Sequence, residues 1–179
     1  MARRLPGRPW ANPPVAPDMK DESTGRSAAG RPPKIPESVL VVIHTPDLQI
    51  LLLERADRPG YWQSVTGSKD SPDEPLEATC QREVFEETGL TVSDYRFWPL
   101  GVTNRYEIYA HWRHRYASGV THNVETAFAL QLPAPMPVRV AVGEHLRYQW
   151  LPWQQAAARC FSPTNASAIA LLADSAERA

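Results

Sequence analysis

GSKDSPDEPLEATCQREVFEETGL, residues 67–90, is the stretch that decides how this chain folds. Residues 73–88 are expected to form a helix, with Pro72 and Asp73 suited to its start and Gly89 to its C-terminal stop. On a helical wheel, Leu76, Cys80 and Val84 line up at a spacing of four as an apolar stripe. Glu83 and Glu87 fall in the sector of that stripe, one turn apart. Glu86 lies about one-sixth of a turn from Glu83.

An acidic run on a helix is by default a solvated face. Three physical points oppose that reading here. Glu83 and Glu87 are like charges one turn apart, which repel. Glu86 and Glu87 sit in the last turn, where the helix dipole disfavours an anion by roughly 0.3–1 kcal/mol each. Glu83 and Glu87 also share the core-facing sector, and partly buried carboxylates need a cation. Arg82 can neutralise one of them; the remainder suggest a divalent metal. Hard oxygen ligands without His or Cys suit magnesium, with manganese as a substitute. Magnesium shares its coordination shell with substrate phosphates, so the chemistry indicated is metal-assisted transfer of a phosphoryl or nucleotidyl group to water.

The same segment resembles the Nudix box, G-x5-E-x7-R-E-U-x-E-E-x-G-U with U a bulky apolar residue. Glu74, Arg82, Glu83, Val84, Glu86, Glu87, Gly89 and Leu90 all match. In one departure, Gly67 stands one residue too early and Ser68 occupies the in-register glycine place. The resemblance implies an α/β Nudix fold, a mixed β-sheet sandwiched between α-helices. It implies a catalytic group of Glu74, Arg82, Glu83, Glu86 and Glu87, in which Glu74 and Arg82 pair to fix the loop against the helix. One carboxylate would serve as general base on the attacking water.

Outward from this segment, Val39–Ile43 is a continuous apolar run expected to be a buried strand, and Ile50–Leu53 a second strand forming a hairpin with it across Pro46 and Asp47. A short extended segment begins at Tyr61 and Trp62 and ends at Gly67. Strand-like runs follow over about 94–101, 105–116, 123–132 and 146–151, with Pro133, Pro135 and Pro137 excluding a strand between the last two. Trp153–Cys160 and Asn165–Ala176 are Ala-rich and expected to be helical. This mixture predicts a mixed sheet with helices packed on it.

The run 109–116, YAHWRHRY, read as a strand, puts His111, Arg113 and Arg115 on one face and Trp112, His114 and Tyr116 on the other. Such a strand can bring forks to phosphate and rings to a flat heterocycle, or be half-buried with a basic outer face. With residues 61–68 (YWQSVTGS) and Gly143-Glu144-His145-Leu146, it resembles one group within the Nudix family, the bacterial dihydroneopterin triphosphate pyrophosphatases of folate synthesis. These hydrolyse 7,8-dihydroneopterin triphosphate and also dATP and related nucleotides. That resemblance spans about Lys34–Asn165. It implies Glu144 as a loop-borne metal ligand beside Glu83 and Glu87, and substrate contacts at Lys34, Arg55, Thr66, Tyr106, Glu107, Ile108, Tyr109 and Ser162. General or damaged-nucleotide hydrolysis and a non-catalytic nucleotide-binding regulator are the competing functions; the second is disfavoured because every box glutamate is kept.

The chain's 179 residues fit one domain plus some extra length, and 42% hydrophobic residues supply a core without staples. A net charge of −1 does not indicate a nucleic-acid binder. Cys80 and Cys160 lack zinc-site spacing and are expected to be reduced thiols, Cys80 in the core. No apolar run is long enough to span a bilayer, and no apolar segment follows Arg3 and Arg4 as in a secretory signal, so a cytoplasmic protein is expected. Residues 1–33, rich in proline, are expected to be a disordered extension ahead of a domain at 34–179, and Met19 is a candidate natural start. The partner expected is a small-molecule triphosphate, with no nucleic acid and no membrane.

Overall fold

The computed structural model describes residues 32–176 and residue 178. Nearly all of the expected N-terminal extension, including Met19, therefore lies outside the described residues.

Strand β1 (Glu37–His44) is buried from Ser38 onward. Its unbroken apolar run reflects cover on both faces. Val39, Val41 and Ile43 point to one side, where they pack with Cys80 and Val84 of α1 (Leu76–Thr88). Leu40 and Val42 point to the other, against Ala156 of α2 (Trp153–Arg159) and Ala168, Ile169 and Leu172 of α3 (Pro163–Ala176). The expected mixed sheet between helices is thus what the chain forms. No helix among the described residues is long and apolar enough to cross a membrane.

Among the described residues the sheet has seven strands. β1 runs parallel to β6 (His122–Gln131), which pairs antiparallel with β5 (Arg96–Glu107). β2 (Gln49–Arg55) pairs antiparallel with β7 (His145–Pro152). The expected β1–β2 hairpin is joined at a single register position, His44 opposite Ile50. Beyond it the two strands part, and residues 62–68 bridge the fork. β3 (Trp62–Gln63) pairs with β2, and β4 (Val65–Ser68) pairs with β1. Ser64 sits at the crossing, where it leaves one ladder before joining the other. Asn165 of α3 supplies its partners: the Ser64 N–H donates to Asn165 Oδ1 at 2.7 Å, and Asn165 Nδ2 donates to Ser64 Oγ at 2.9 Å.

Three local expectations are corrected. Helix α1 begins at Leu76 instead of 73, because Pro75 is its N-cap residue and the residue before a proline is pushed out of the helical region. The runs 94–101 and 105–116 are not two strands. One strand, β5, spans Arg96–Glu107 with a register shift between Pro99 and Thr103, where Gly101 takes φ +73°. After Glu107 the chain leaves the sheet, and Ala110–Arg115 is a short 3₁₀ helix, so the two-faced arrangement of His111 to Tyr116 does not exist. Local contacts favour the coil. Tyr109 stacks on His111 at 5.7 Å, Trp112 meets both rings, and Arg113 Nε donates to the Ile108 carbonyl at 3.0 Å.

Candidate active site

Helix α1 and strand β4 build the acid cluster between them. Arg82 is its hub. Its Nε lies 3.1 Å from Glu74 Oε1, its Nη1 donates to Glu83 Oε1 at 2.6 Å, and its Nη2 donates to the Ser68 carbonyl at 2.8 Å. Glu74, kept out of the helix by Pro75, also accepts the Asp70 N–H at 2.6 Å, so one carboxylate closes the loop 68–75 onto the helix. The Arg82 hydrogen bond holds the Glu74 carboxyl below its usual range.

Gly67 explains the displaced glycine of the motif. A Cβ there would lie 1.8 Å from Glu83 Cδ and 1.9 Å from Oε1. The Glu83 carboxylate rests directly against the β4 backbone, and the residue beneath it must lack a side chain. Ser68 carries no such demand; its carbonyl serves Arg82.

The helix delivers its three acids to different environments. Glu87 is 3% exposed, the Glu83 side chain 12% and the Glu86 side chain 56%. Burial pushes Glu83 up to about 7 despite the Arg82 hydrogen bond, with Glu87 and Glu86 adding to the rise. Glu87 is also raised, chiefly by burial, with His145 opposing.

Glu87 meets the loop before β7. Its Oε2 faces His145 Nε2 at 3.1 Å. Ligand atoms of Glu87, Glu144 and His145 all lie within 4.8 Å of one another. Glu87 Oε2 is buried without an aligned hydrogen bond among the described residues. A buried carboxylate oxygen left in this state, with a second carboxylate beside it, fits a divalent cation. Glu83 stands outside that trio, tied to Arg82 and pressed on Gly67. His145 was not singled out by sequence reasoning, although it directly follows Glu144.

The expected substrate contacts fall into two groups. Lys34 is held by its backbone N–H on the Arg115 carbonyl at 2.8 Å. Its ammonium is shifted down, first by burial and then by Arg115, while Glu83 and Glu144 act in the opposite sense. The Arg55 fork lies on Asp57 at 2.7 and 2.8 Å, with its guanidinium 4.9 Å from the centre of the Trp112 ring. Arg55 Nη1 and Thr66 Oγ1 both bond the Gln63 side chain, at 3.1 Å each. Glu107 pairs with Arg113, Ile108 is 4% exposed, and Tyr109 lies past the strand end with its ring half open to solvent.

The second group is a polar chain on the sheet face under α3. Ser162 Oγ meets Thr164 Oγ1 at 2.9 Å, and Thr164 donates to Glu125 Oε1 at 2.9 Å. Tyr106 OH lies 3.4 Å from Glu125 Oε2, and Asn123 Nδ2 donates to Tyr106 OH at 3.0 Å and to Ser38 Oγ at 2.6 Å. Tyr106 and Ser162 were expected from resemblance; Asn123 and Glu125 were not. Two polar residues at alternate positions, in line with Ala127 and Ala129 of the same strand, were the signal available.

A family model described as NUDIX domain matches residues 34–172. The chain is 42% identical over 139 residues to a protein of Escherichia coli K12 named dihydroneopterin triphosphate diphosphatase, covering 76% of this chain and 91% of that one. It is 37% identical over 137 residues to the protein of the same name in Haemophilus influenzae, covering 74% and 84%. Among solved structures, the E. coli dihydroneopterin triphosphate pyrophosphohydrolase superposes with a TM-score of 0.72 at 41% identity, over 78% of this chain and 95% of that one. A NUDIX hydrolase from Listeria monocytogenes gives 0.65 at 25% identity, over 77% and 92%.

Proposed function

The chain belongs to the NUDIX domain family, and from that premise we propose that it hydrolyses 7,8-dihydroneopterin 3′-triphosphate to dihydroneopterin monophosphate and pyrophosphate, the reaction of folate synthesis, with dATP and other deoxynucleotides as secondary substrates. The observation that carries the substrate is the 42% identity to the E. coli enzyme named for it, which extends over nine-tenths of that protein.

Divalent metals are general to this family; magnesium is our reading for this chain. Glu87 and Glu144 would hold it, with Glu83 joining from the next turn of α1. When bound, the ion supplies charge neutralisation on the phosphate oxygens and acidifies water. The remaining work belongs to side chains. His145 orients the Glu87 carboxylate. Arg82 and Glu74 fix the loop so that Gly67 can seat Glu83. Lys34 and Arg55 bring positive charge toward the phosphates. The proton of the attacking water passes to a carboxylate of this cluster; Glu86 and Glu144 have solvent-exposed side chains through which it can leave.

A panel of triphosphates, assayed by steady-state kinetics with products formed in ¹⁸O water, tests the reading. The expected result is a kcat/KM for dihydroneopterin triphosphate above that of every common nucleotide. A higher value for a deoxynucleotide would transfer the assignment to general nucleotide hydrolysis, and inactivity on all of them with magnesium present would leave only a binding role.

A further inference from the structure

The acid cluster accounts for the phosphates and leaves unexplained a second buried carboxylate, Glu125. It is 5% exposed, and burial raises its pKa. Among the described residues its side-chain hydrogen bonds come from two neutral hydroxyls, Thr164 and Tyr106, and from no cation. An ionised carboxylate has room for about four donors. Two of those places are taken, one by a long contact. Beside it on the same face of β6, Asn123 is 2% exposed and spends its amide donors on Ser38 and Tyr106. Among the described residues its Oδ1 accepts no hydrogen bond. Two adjacent buried side chains therefore present unused acceptors. The half-buried Tyr106, Ser162 and Thr164 form their rim. A buried acceptor without a donor is destabilising, more so if charged, so the pair is explained by a partner that brings donors.

Resting on the triphosphate-hydrolase reading above, we infer that Glu125, with Asn123 beside it, is the specificity-determining pair that reads the N–H edge of the substrate's heterocycle. The class of ring it takes carries a ring N–H next to an exocyclic amino group, two parallel donors that a carboxylate accepts as a fork. Pterins and guanine have that edge. Adenine offers an amino group beside a ring acceptor, and thymine a single N–H between two carbonyls. The pair therefore ranks a 2-amino-4-oxo ring above adenine and thymine, independently of the phosphates.

The test is Glu125→Gln, which keeps the shape and replaces one acceptor by a donor facing the substrate's own donors. Hydrogen bonds to a charged group carry roughly 1.5–3 kcal/mol, so kcat/KM for dihydroneopterin triphosphate and dGTP should fall about 10- to 100-fold, mostly through KM. The ratio of kcat/KM for dihydroneopterin triphosphate to that for dTTP should collapse by a similar factor. An equal fall on all three substrates marks Glu125 as structural and overturns the inference, as does no fall on any. Independently of that variant, unphosphorylated 7,8-dihydroneopterin should competitively inhibit dTTP hydrolysis by the wild-type protein, with adenosine and thymidine at least tenfold weaker; equal inhibition by all three overturns it. Should the wild-type protein hydrolyse no triphosphate, the proposed reaction fails on its own. Equilibrium dialysis of dihydroneopterin monophosphate against wild type and Glu125→Gln then decides the role of Glu125, weaker binding by the variant supporting it and equal binding refuting it.

Discussion

Metal-free protein should lose stability as pH rises through neutrality, and Glu83 is the reason. Its carboxyl is pushed up to about 7 in the folded chain, against an ordinary value of 4.5. Between those values the folded state binds more protons than the unfolded one, so the stabilisation is complete below 4.5 and is lost as pH climbs through 7. The shift corresponds to about 3 kcal/mol once the group is fully ionised. The side chain is 12% exposed, so solvent screening removes little of this. Glu83→Gln mimics the protonated acid in shape and cannot ionise. Urea unfolding in EDTA at pH 5 and pH 8.5 should show the variant gaining roughly 2.5 kcal/mol on the wild type between the two conditions. Glu87 is raised in the same direction in both proteins and sharpens the fall of each. If the two proteins track each other within about 0.5 kcal/mol across that range, Glu83 is not desolvated as argued, and the placement of its carboxylate against Gly67 is wrong.

Magnesium or manganese should raise Tm more at pH 8 than at pH 5, because the carboxylates must be deprotonated to bind; equal shifts at the two pH values would disconnect the metal from this cluster. Gly67→Ala should displace the Glu83 carboxylate and cost on the order of 10²-fold in kcat, with about 1–3 kcal/mol of stability, and a crystal structure with the Arg82–Glu83 pair intact would contradict it. Glu87→Gln should slow hydrolysis by about 10²–10⁴-fold while leaving the protein folded by circular dichroism. His145→Ala should weaken manganese binding, read by calorimetry, by roughly 10- to 100-fold.

Much of the architecture was legible because it rests on periodicity. β1 reads as buried on both faces, α1 shows its stripe of Leu76, Cys80 and Val84, and the burial of Glu83 and Glu87 relative to Glu86 follows from the wheel alone. Where short-range contacts compete with periodicity, the reading failed. YAHWRHRY alternates well enough for a strand, yet ring stacking among Tyr109, His111 and Trp112 and the Arg113 bond to the backbone coil it. Pro75 was the overlooked signal for the start of α1. Sites assembled from distant strands were out of reach. Nothing local links Ser38, Asn123 and Ser162, and the orphaned oxygens of Glu87 and Asn123 are properties of packing.

The fork in the sheet has a consequence for how the protein comes into being. The strand that seats Glu83 is pinned at Ser64 by Asn165, 101 residues further along the chain. Closing so long a loop comes late, since its entropy must be overcome before the contact contributes anything. Without α3 the bridge between β1 and β2 has no such buttress at Ser64. Catalytic competence therefore waits on α3, and a truncation ahead of it would disarm the distant glutamates without touching them.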